Sequence, residues 1–120
     1  MAGIMVVDDE PTIQQLLKII IEDMGHSVLA QSLNGDSALR TYRSMRTKPD
    51  VMIIDHRMPI MSGLELATQI LKENPSQRVL FITADDSVKE KVRDLGIKSF
   101  LEKPVEIAVI RSTLRSLIEG

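Results

Sequence analysis

Asp8 and Asp9, followed by Glu10, and then Asp55, Thr83 and Lys103 are the side chains of this sequence whose types could do chemistry together. Brought to one place, they offer carboxylate oxygens, one hydroxyl and one ammonium. Two like charges about 4 Å apart repel by roughly 4 kcal/mol at an effective dielectric of about 20, against a total folding stability of about 5–15 kcal/mol. Gathered acids therefore need relief, from raised pKa values, from Lys103 or from a cation. Oxygen donors suit Mg2+, which keeps several waters and takes one or two carboxylates plus phosphate oxygens. With no cysteine and only two histidines, zinc and a thiol nucleophile are poor fits. The matching reaction is phosphoryl transfer onto a carboxylate, in which catalysis is mostly positioning and electrostatics. Asp55 stands alone after an apolar run and is assigned as acceptor. The adjacent Asp8 and Asp9 are assigned as metal-holding acids, with Lys103, Thr83 and backbone N–H groups as stabilisers of developing charge.

The elements that must position these residues follow from hydropathy. Continuous aliphatic runs at Ile4–Val7, Val51–Ile54 and Val79–Ile82 predict strands covered on both faces, and Val28–Leu33 and Ser99–Leu101 predict two more. Helical spacing predicts helices from Pro11 to Met24, stopped by Gly25; from about Asp36 to Met45; from the capping box Ser62/Glu65 to Asn74; from a second box Ser87/Glu90 to Gly96; and from Glu106 to Glu119. The fourth helix has the thinnest apolar face, mainly Val88, Val92 and Leu95. Strict alternation of strand and helix predicts an α/β fold with a parallel sheet and right-handed crossovers. In such sheets ligands sit beyond the C-terminal strand ends. Asp8, Asp9, Asp55, Thr83 and Lys103 all fall there.

Composition narrows the class. At 120 residues and 43% hydrophobic, the chain is expected to form one domain, residues 1–120, with an aliphatic core, since aromatics are only 2%. Methionines such as Met24 and Met45 read as core filler. A net charge of −2 gives no electrostatic reason to expect nucleic acid or an anionic membrane as partner. No signal-peptide pattern and no membrane-length apolar run is visible, so a cytoplasmic location is the expectation.

The ordered set "VVDDEP", "IIDHRMPIMSG", "ITA" and "KP", each at a predicted strand end, resembles the receiver domain of two-component response regulators over nearly the whole chain. The resemblance implies a flavodoxin-like, doubly wound five-stranded sheet of order 2-1-3-4-5 with five helices. It implies phosphorylation of Asp55, with Mg2+ held by Asp9, Asp55 and the Arg57 carbonyl directly and by Asp8 through water. Lys103 would contact the phosphoryl group, Thr83 would turn toward it, and Phe100 would swing inward. The Lys103–Pro104 peptide would be cis, and Ala84 is read as structural. The donor would be a sensor histidine kinase or phosphotransfer protein. The signal would leave through helix 4, strand 5 and helix 5 toward an unknown output partner, as a monomer or as a dimer through that surface.

Particular positions carry their own expectations. Phe100 has no hydroxyl, so a switch there would rest on packing and burial. Arg57 and Asp85 stand two residues after Asp55 and Thr83; an ion pair between them would hinder an attacking water and prolong the phosphorylated state. The blander readings are helix capping by Asp8 or Asp9, a core role for Phe100, a loop role for His26 and a structural role for His56. Two rival functions are a scaffold receiver that works without phosphorylation and an aspartyl-phosphate phosphohydrolase. The latter needs an acid two residues after its nucleophile; after Asp55 that position is Arg57, and after Asp8 it is Glu10. A flavin site and a P-loop hydrolase are disfavoured, because no hydroxyl- and glycine-rich loop follows strand 1 and no GxxxxGK(S/T) occurs.

Overall fold

The aliphatic runs become β1 (Gly3–Val7), β3 (Val51–Ile54) and β4 (Arg78–Thr83), with β2 (Ser27–Ser32) and β5 (Ser99–Glu102) at the edges, in a computed structural model that describes residues 1–120. All pairings are parallel and the order is β2-β1-β3-β4-β5. The crossovers are α1 (Pro11–Asp23), α2 (Gly35–Ser44), α3 (Gly63–Glu73) and α4 (Lys89–Asp94), and α5 (Ile107–Glu119) closes the chain.

Because successive strand residues point to opposite faces, the sheet separates two cores. Met5, Val7, Met52, Ile54, Val79 and Phe81 meet Ala38, Tyr42, Leu66, Ile70 and Val92 of α2, α3 and α4. Ile4, Val6, Val51, Ile53, Leu80 and Ile82 meet Leu17, Ile20 and Ile21 of α1 and Ile110 and Leu114 of α5. Each fully buried side chain such as Leu66 or Ile70 contributes about 1.5–3 kcal/mol. Met24 and Met45 pack at the margins of these cores.

Helix ends are set by specific chemistry. The Ser62/Glu65 capping box is present at α3. Gly25 and Gly96 follow α1 and α4 at φ of 86° and 90°, the left-handed backbone that glycine adopts without strain. Two boundaries differ from expectation. Asn34 caps α2, its Oδ1 accepting from the Ser37 N–H at 2.8 Å, so α2 starts at Gly35 and β2 ends at Ser32 rather than Leu33. The Ser87/Glu90 box does not form. Asp85 accepts from both the N–H and the hydroxyl of Ser87, and a 3-10 turn at Asp86–Val88 precedes α4. Asp85 is therefore the N-cap, and Ser87 lies inside the turn rather than at its start, where a capping box would need it.

No helix is long and apolar enough to cross a membrane.

Candidate functional site

The sheet ladder runs one residue past each strand and so pins the chemistry-bearing residues. Asp8 N–H donates to the Ser32 carbonyl at 3.1 Å, Asp55 N–H to the Val7 carbonyl at 3.0 Å, and Lys103 N–H to the Thr83 carbonyl at 2.9 Å. Val7 pairs with Ile54, so Asp8 and Asp55 leave the sheet side by side. Gln14, buried in α1, reinforces this edge. Its amide donates to the Ser32 carbonyl at 2.8 Å and the Asp8 carbonyl at 3.1 Å, and accepts from Gln31 at 2.9 Å.

The loop after Asp55 is held as tightly. Gly63 N–H donates to the His56 carbonyl at 2.8 Å, and Leu64 N–H donates to His56 Nδ1 at 3.3 Å. A Cβ on Gly63 would lie 2.1 Å from the Asp55 carbonyl oxygen, so only glycine lets α3 start this close to the loop after Asp55. Between them, Met61 N–H donates to the Pro59 carbonyl at 2.8 Å and Ile60 sits at φ 72°. That is a γ-turn with a β-branched residue in a disfavoured region.

These constraints gather the acids. Carboxylate oxygens of Asp8, Asp9, Glu10 and Asp55 all lie within 4.8 Å of one another. Asp8 and Asp55 are buried, whereas Asp9 and Glu10 are exposed. Lys103 Nζ donates to Asp8 Oδ2 at 3.0 Å, Glu10 Oε1 at 3.2 Å and Asp55 Oδ2 at 3.2 Å. Asp8 Oδ1 accepts from the Glu10 N–H at 2.9 Å, while Glu10, the residue preceding α1, makes no side-chain cap. Thr83 is buried, and its hydroxyl oxygen accepts from the Asp85 N–H at 3.2 Å, leaving its own hydrogen free to donate. A cavity of about 300 Å³ opens over this floor, lined by Asp9, Glu10, Asp55, Arg57, Thr83, Ala84 and Lys103.

Burial raises the Asp8 carboxyl above its ordinary range, against the opposing hydrogen bonds from the Glu10 N–H and Lys103. Burial alone would lower the Lys103 ammonium; the hydrogen bond to Asp8 and the charges of Asp55 and Asp8 outweigh it, and the pKa is raised. The pair is thus favourable for the cation while the buried acid remains under strain. Four carboxylates against one ammonium leave three formal negative charges at a floor made of oxygen donors. That donor set, with two of its acids buried, fits a hard divalent cation such as Mg2+.

The remaining candidate residues surround this floor. Arg57, which lines the cavity, has its Nε 3.4 Å from Asp85 Oδ2. Hydrogen bonds from Ser87, with Arg57 adding to them, hold the Asp85 carboxyl below its ordinary range. Phe100 is half-buried and stacks on fully buried Phe81, with centroids 5.9 Å apart and planes 6° from parallel. Lys89 Nζ lies 5.9 Å from the Phe100 centroid. The Lys103–Pro104 peptide bond is cis. His26 Nδ1 accepts from the Ala2 N–H at 2.9 Å and ties down the N-terminus.

Sequence reasoning did not single out Gln14, Gly63 or the Glu10–Lys103 contact. Gln14 did leave a trace, as a polar residue at helical spacing with Leu17 and Ile21. Away from the acids, an open groove of about 680 Å³ runs past Arg78, Lys98 and Ser116. It gathers no acidic side chain, and Arg78 is engaged with the carbonyls of Leu117 and Ile118.

The fold is a doubly wound parallel α/β sheet with an acidic, lysine-bridged pocket at its C-terminal strand ends, and it carries neither a P-loop nor a hydroxyl- and glycine-rich loop after β1. Residues 4–115 match the family described as the response regulator receiver domain, and the chain belongs to that family of two-component signalling domains. It is 32% identical over 124 residues to Protein PilH of Pseudomonas aeruginosa, with all of both chains covered. It is also 32% identical over 117 residues to the "Probable transcriptional regulatory protein TcrX" of Mycobacterium tuberculosis; 96% of this chain is covered, but it spans only 49% of TcrX. Among solved structures, the response regulator TrrA of Thermotoga maritima, in complex with Mg2+ and BeF, superposes with a TM-score of 0.87 at 29% identity, covering 98% of this chain and 99% of that one.

Proposed function

We propose that this chain is a phosphorylation-controlled receiver. It takes a phosphoryl group onto Asp55 from a phosphohistidine of a sensor histidine kinase or phosphotransfer protein, and it signals through the α4–β5–α5 surface. The observation that carries this reading is the triangle formed by Lys103 Nζ with Asp8 Oδ2 and Asp55 Oδ2, at 3.0 and 3.2 Å. An ammonium held this close orients the Asp55 carboxylate and leaves its other oxygen for nucleophilic attack. That oxygen forms the new O–P bond as the P–N bond of the donor breaks, and the electron pair leaves on the imidazole nitrogen. No proton has to be removed from the nucleophile.

Asp9, Asp55 and the Arg57 carbonyl would hold Mg2+, with Asp8 acting through water. When bound, the ion neutralises charge on the phosphoryl oxygens. Lys103 and the Thr83 hydroxyl hydrogen are the chain's own donors for those oxygens. A protein-sized donor is supported by an apolar groove of about 440 Å³ lined by Ile13, Leu16, Leu17, Val105 and Ile110, because Lys103 borders both it and the acid pocket.

Phe100 would respond by changing its packing on Phe81, in the absence of any hydroxyl. Its neighbour α4 is short and enters the core only through Val92, with Val88 just ahead of it, so it is an element available to move. The chain's only catalysis would be its own phosphorylation and slow dephosphorylation. The phosphohydrolase reading would need Glu10 free as a general acid or base, whereas Glu10 is hydrogen-bonded to Lys103.

Mass spectrometry after incubation with acetyl phosphate and Mg2+ tests the proposal. The expected result is one phosphoryl adduct on the wild type and none on Asp55→Asn. An unmodified wild type, or an equally modified variant, overturns it. Turnover of a phosphate ester without such an adduct would favour the hydrolase.

A further inference from the structure

Gln14 lies on the inner face of α1, at helical spacing with Leu17 and Ile21, and is only 5% exposed. An apolar side chain would fill that place, and a buried amide costs free energy unless its polar atoms are paired. Here they are paired, in one orientation. Oε1 accepts from Gln31 Nε2 at 2.9 Å, which turns the Gln14 Nε2 toward the ends of β1 and β2. There it donates to the carbonyls of Ser32 at 2.8 Å, Asp8 at 3.1 Å and Val6 at 3.3 Å. The Ser32 carbonyl is also held by the Asp8 N–H, whereas the Asp8 carbonyl lies beyond the sheet ladder and has Gln14 as its one partner in the chain. That carbonyl shares a planar peptide with the Asp9 N–H. Asp9 is exposed and outside the Lys103 network, so its place beside Asp8 and Asp55 depends on the backbone that carries it.

We propose that Gln14 is a positioning residue for the metal-holding acids: its amide, oriented by Gln31, fixes the Asp8–Asp9 peptide and thereby sets the affinity of the pocket for Mg2+. Gln14 touches neither the ion nor the phosphoryl group. The inference rests on the receiver reading above for the identity of the ligands. Removing a hydrogen bond that orients a metal ligand weakens metal binding by roughly ten-fold or more.

The test begins with the metal alone. Mg2+ is titrated into wild type, Gln14→Met and Ile21→Val, and the metal-free stability of each is measured in urea. Gln14→Met keeps the volume and removes the donors. Ile21→Val opens a small cavity on the same helix and in the same core while changing no hydrogen bond. The expected result is binding about ten-fold weaker in Gln14→Met and unchanged in Ile21→Val. Phosphorylation by acetyl phosphate should then need about ten-fold more Mg2+ for half its maximal rate in Gln14→Met, with the maximal rate itself retained. Wild-type affinity in Gln14→Met, or a loss of affinity in Ile21→Val as large as in Gln14→Met, overturns the inference. A wild-type measurement decides the matter if Gln14→Met does not fold: the Asp8 carbonyl and the Gln14 side-chain amide should both shift in NMR spectra on Mg2+ binding, and resonances that stay in place overturn it. A wild type that binds no Mg2+ overturns the inference together with the metal assignment on which it rests.

Discussion

Arg57 and Asp85, on the loops after β3 and β4, form an ion pair beside the acid pocket that Arg57 lines, with Nε 3.4 Å from Oδ2. Arg57 is mostly exposed and Asp85 mostly covered, so the pair lies at the solvent boundary rather than in the core. An exposed pair of this kind is worth about 0–1 kcal/mol. Arg57→Ala is therefore expected to shorten the phosphorylated lifetime by no more than about five-fold. Decay of the adduct, followed by mass spectrometry, checks this. An equal or longer lifetime in the variant would refute the expectation that the pair hinders an attacking water.

Gly63→Ala is expected to be among the most damaging single changes to this chain. The added Cβ would lie 2.1 Å from the Asp55 carbonyl oxygen and 2.7 Å from His56 Cα, and both are backbone atoms that cannot turn aside. Overpacking of this kind destabilises by about 1–3 kcal/mol or more. Urea denaturation measures the loss, and Mg2+ affinity should fall with it because Asp55 must shift. A variant as stable as wild type would show that the loop yields more easily than its hydrogen bonds imply.

Asp8→Asn is expected to raise stability in the absence of divalent metal. Burial raises the folded-state pKa of Asp8, so ionised Asp8 weakens the fold at neutral pH. The sign follows from linkage: stability associated with protonating Asp8 is fully present below the ordinary carboxylate pKa and lost as pH rises through the raised value. The advantage of the asparagine variant should thus be largest at neutral pH and vanish in acid. About 1 kcal/mol corresponds to a Tm rise of roughly 4 °C for a chain of this size. Lys103, whose pKa is raised, adds no pH dependence below the ordinary lysine range. Thermal melts with EDTA from pH 3 to pH 8 test this, and a lower Tm for the variant at pH 7 would contradict it.

Mg2+ should stabilise the wild type in proportion to RT ln(1 + [Mg2+]/Kd), about 2.7 kcal/mol at a hundred times Kd. Asp9→Asn should remove most of that gain while leaving the metal-free Tm nearly unchanged, since Asp9 is exposed and outside the Lys103 network. A metal-dependent Tm rise as large in Asp9→Asn as in wild type would remove Asp9 from the ligand set.

Phe100 should report the switch through packing alone. Its ring stacks on Phe81 at 5.9 Å, beneath Lys89. Beryllofluoride with Mg2+ is expected to shift the ring resonances of both phenylalanines, and Phe81→Leu should reduce the response of Phe100. Resonances unchanged by the mimic would end the idea of a burial-driven switch.

The order of elements and the strand-end placement of Asp8, Asp55, Thr83 and Lys103 were legible in the sequence. Both rest on local periodicity: VMII and VLFI are too apolar for a half-solvated element, and the helices repeat at helical spacing. Where a charged residue breaks such a run, the strand ends, and a parallel sheet brings all such breaks to one edge. The strand order was carried by the family resemblance.

What tertiary structure alone decided are contacts between residues far apart in the chain, or between backbone atoms that carry no side-chain signature. Lys103 reaches Asp8 and Glu10 across more than ninety positions, so no window of sequence could show that its three donors are all taken. The need for glycine at position 63 comes from a carbonyl eight residues away, folded back against α3. Asp85 displaced the Ser87 box because two capping schemes matched the same residues and the geometry of the loop after β4 favoured the carboxylate. Local pattern determined which residues stand at the edge of the sheet. Packing determined which of them touch, because burial and charge compensation are properties of the assembled edge and of no single segment.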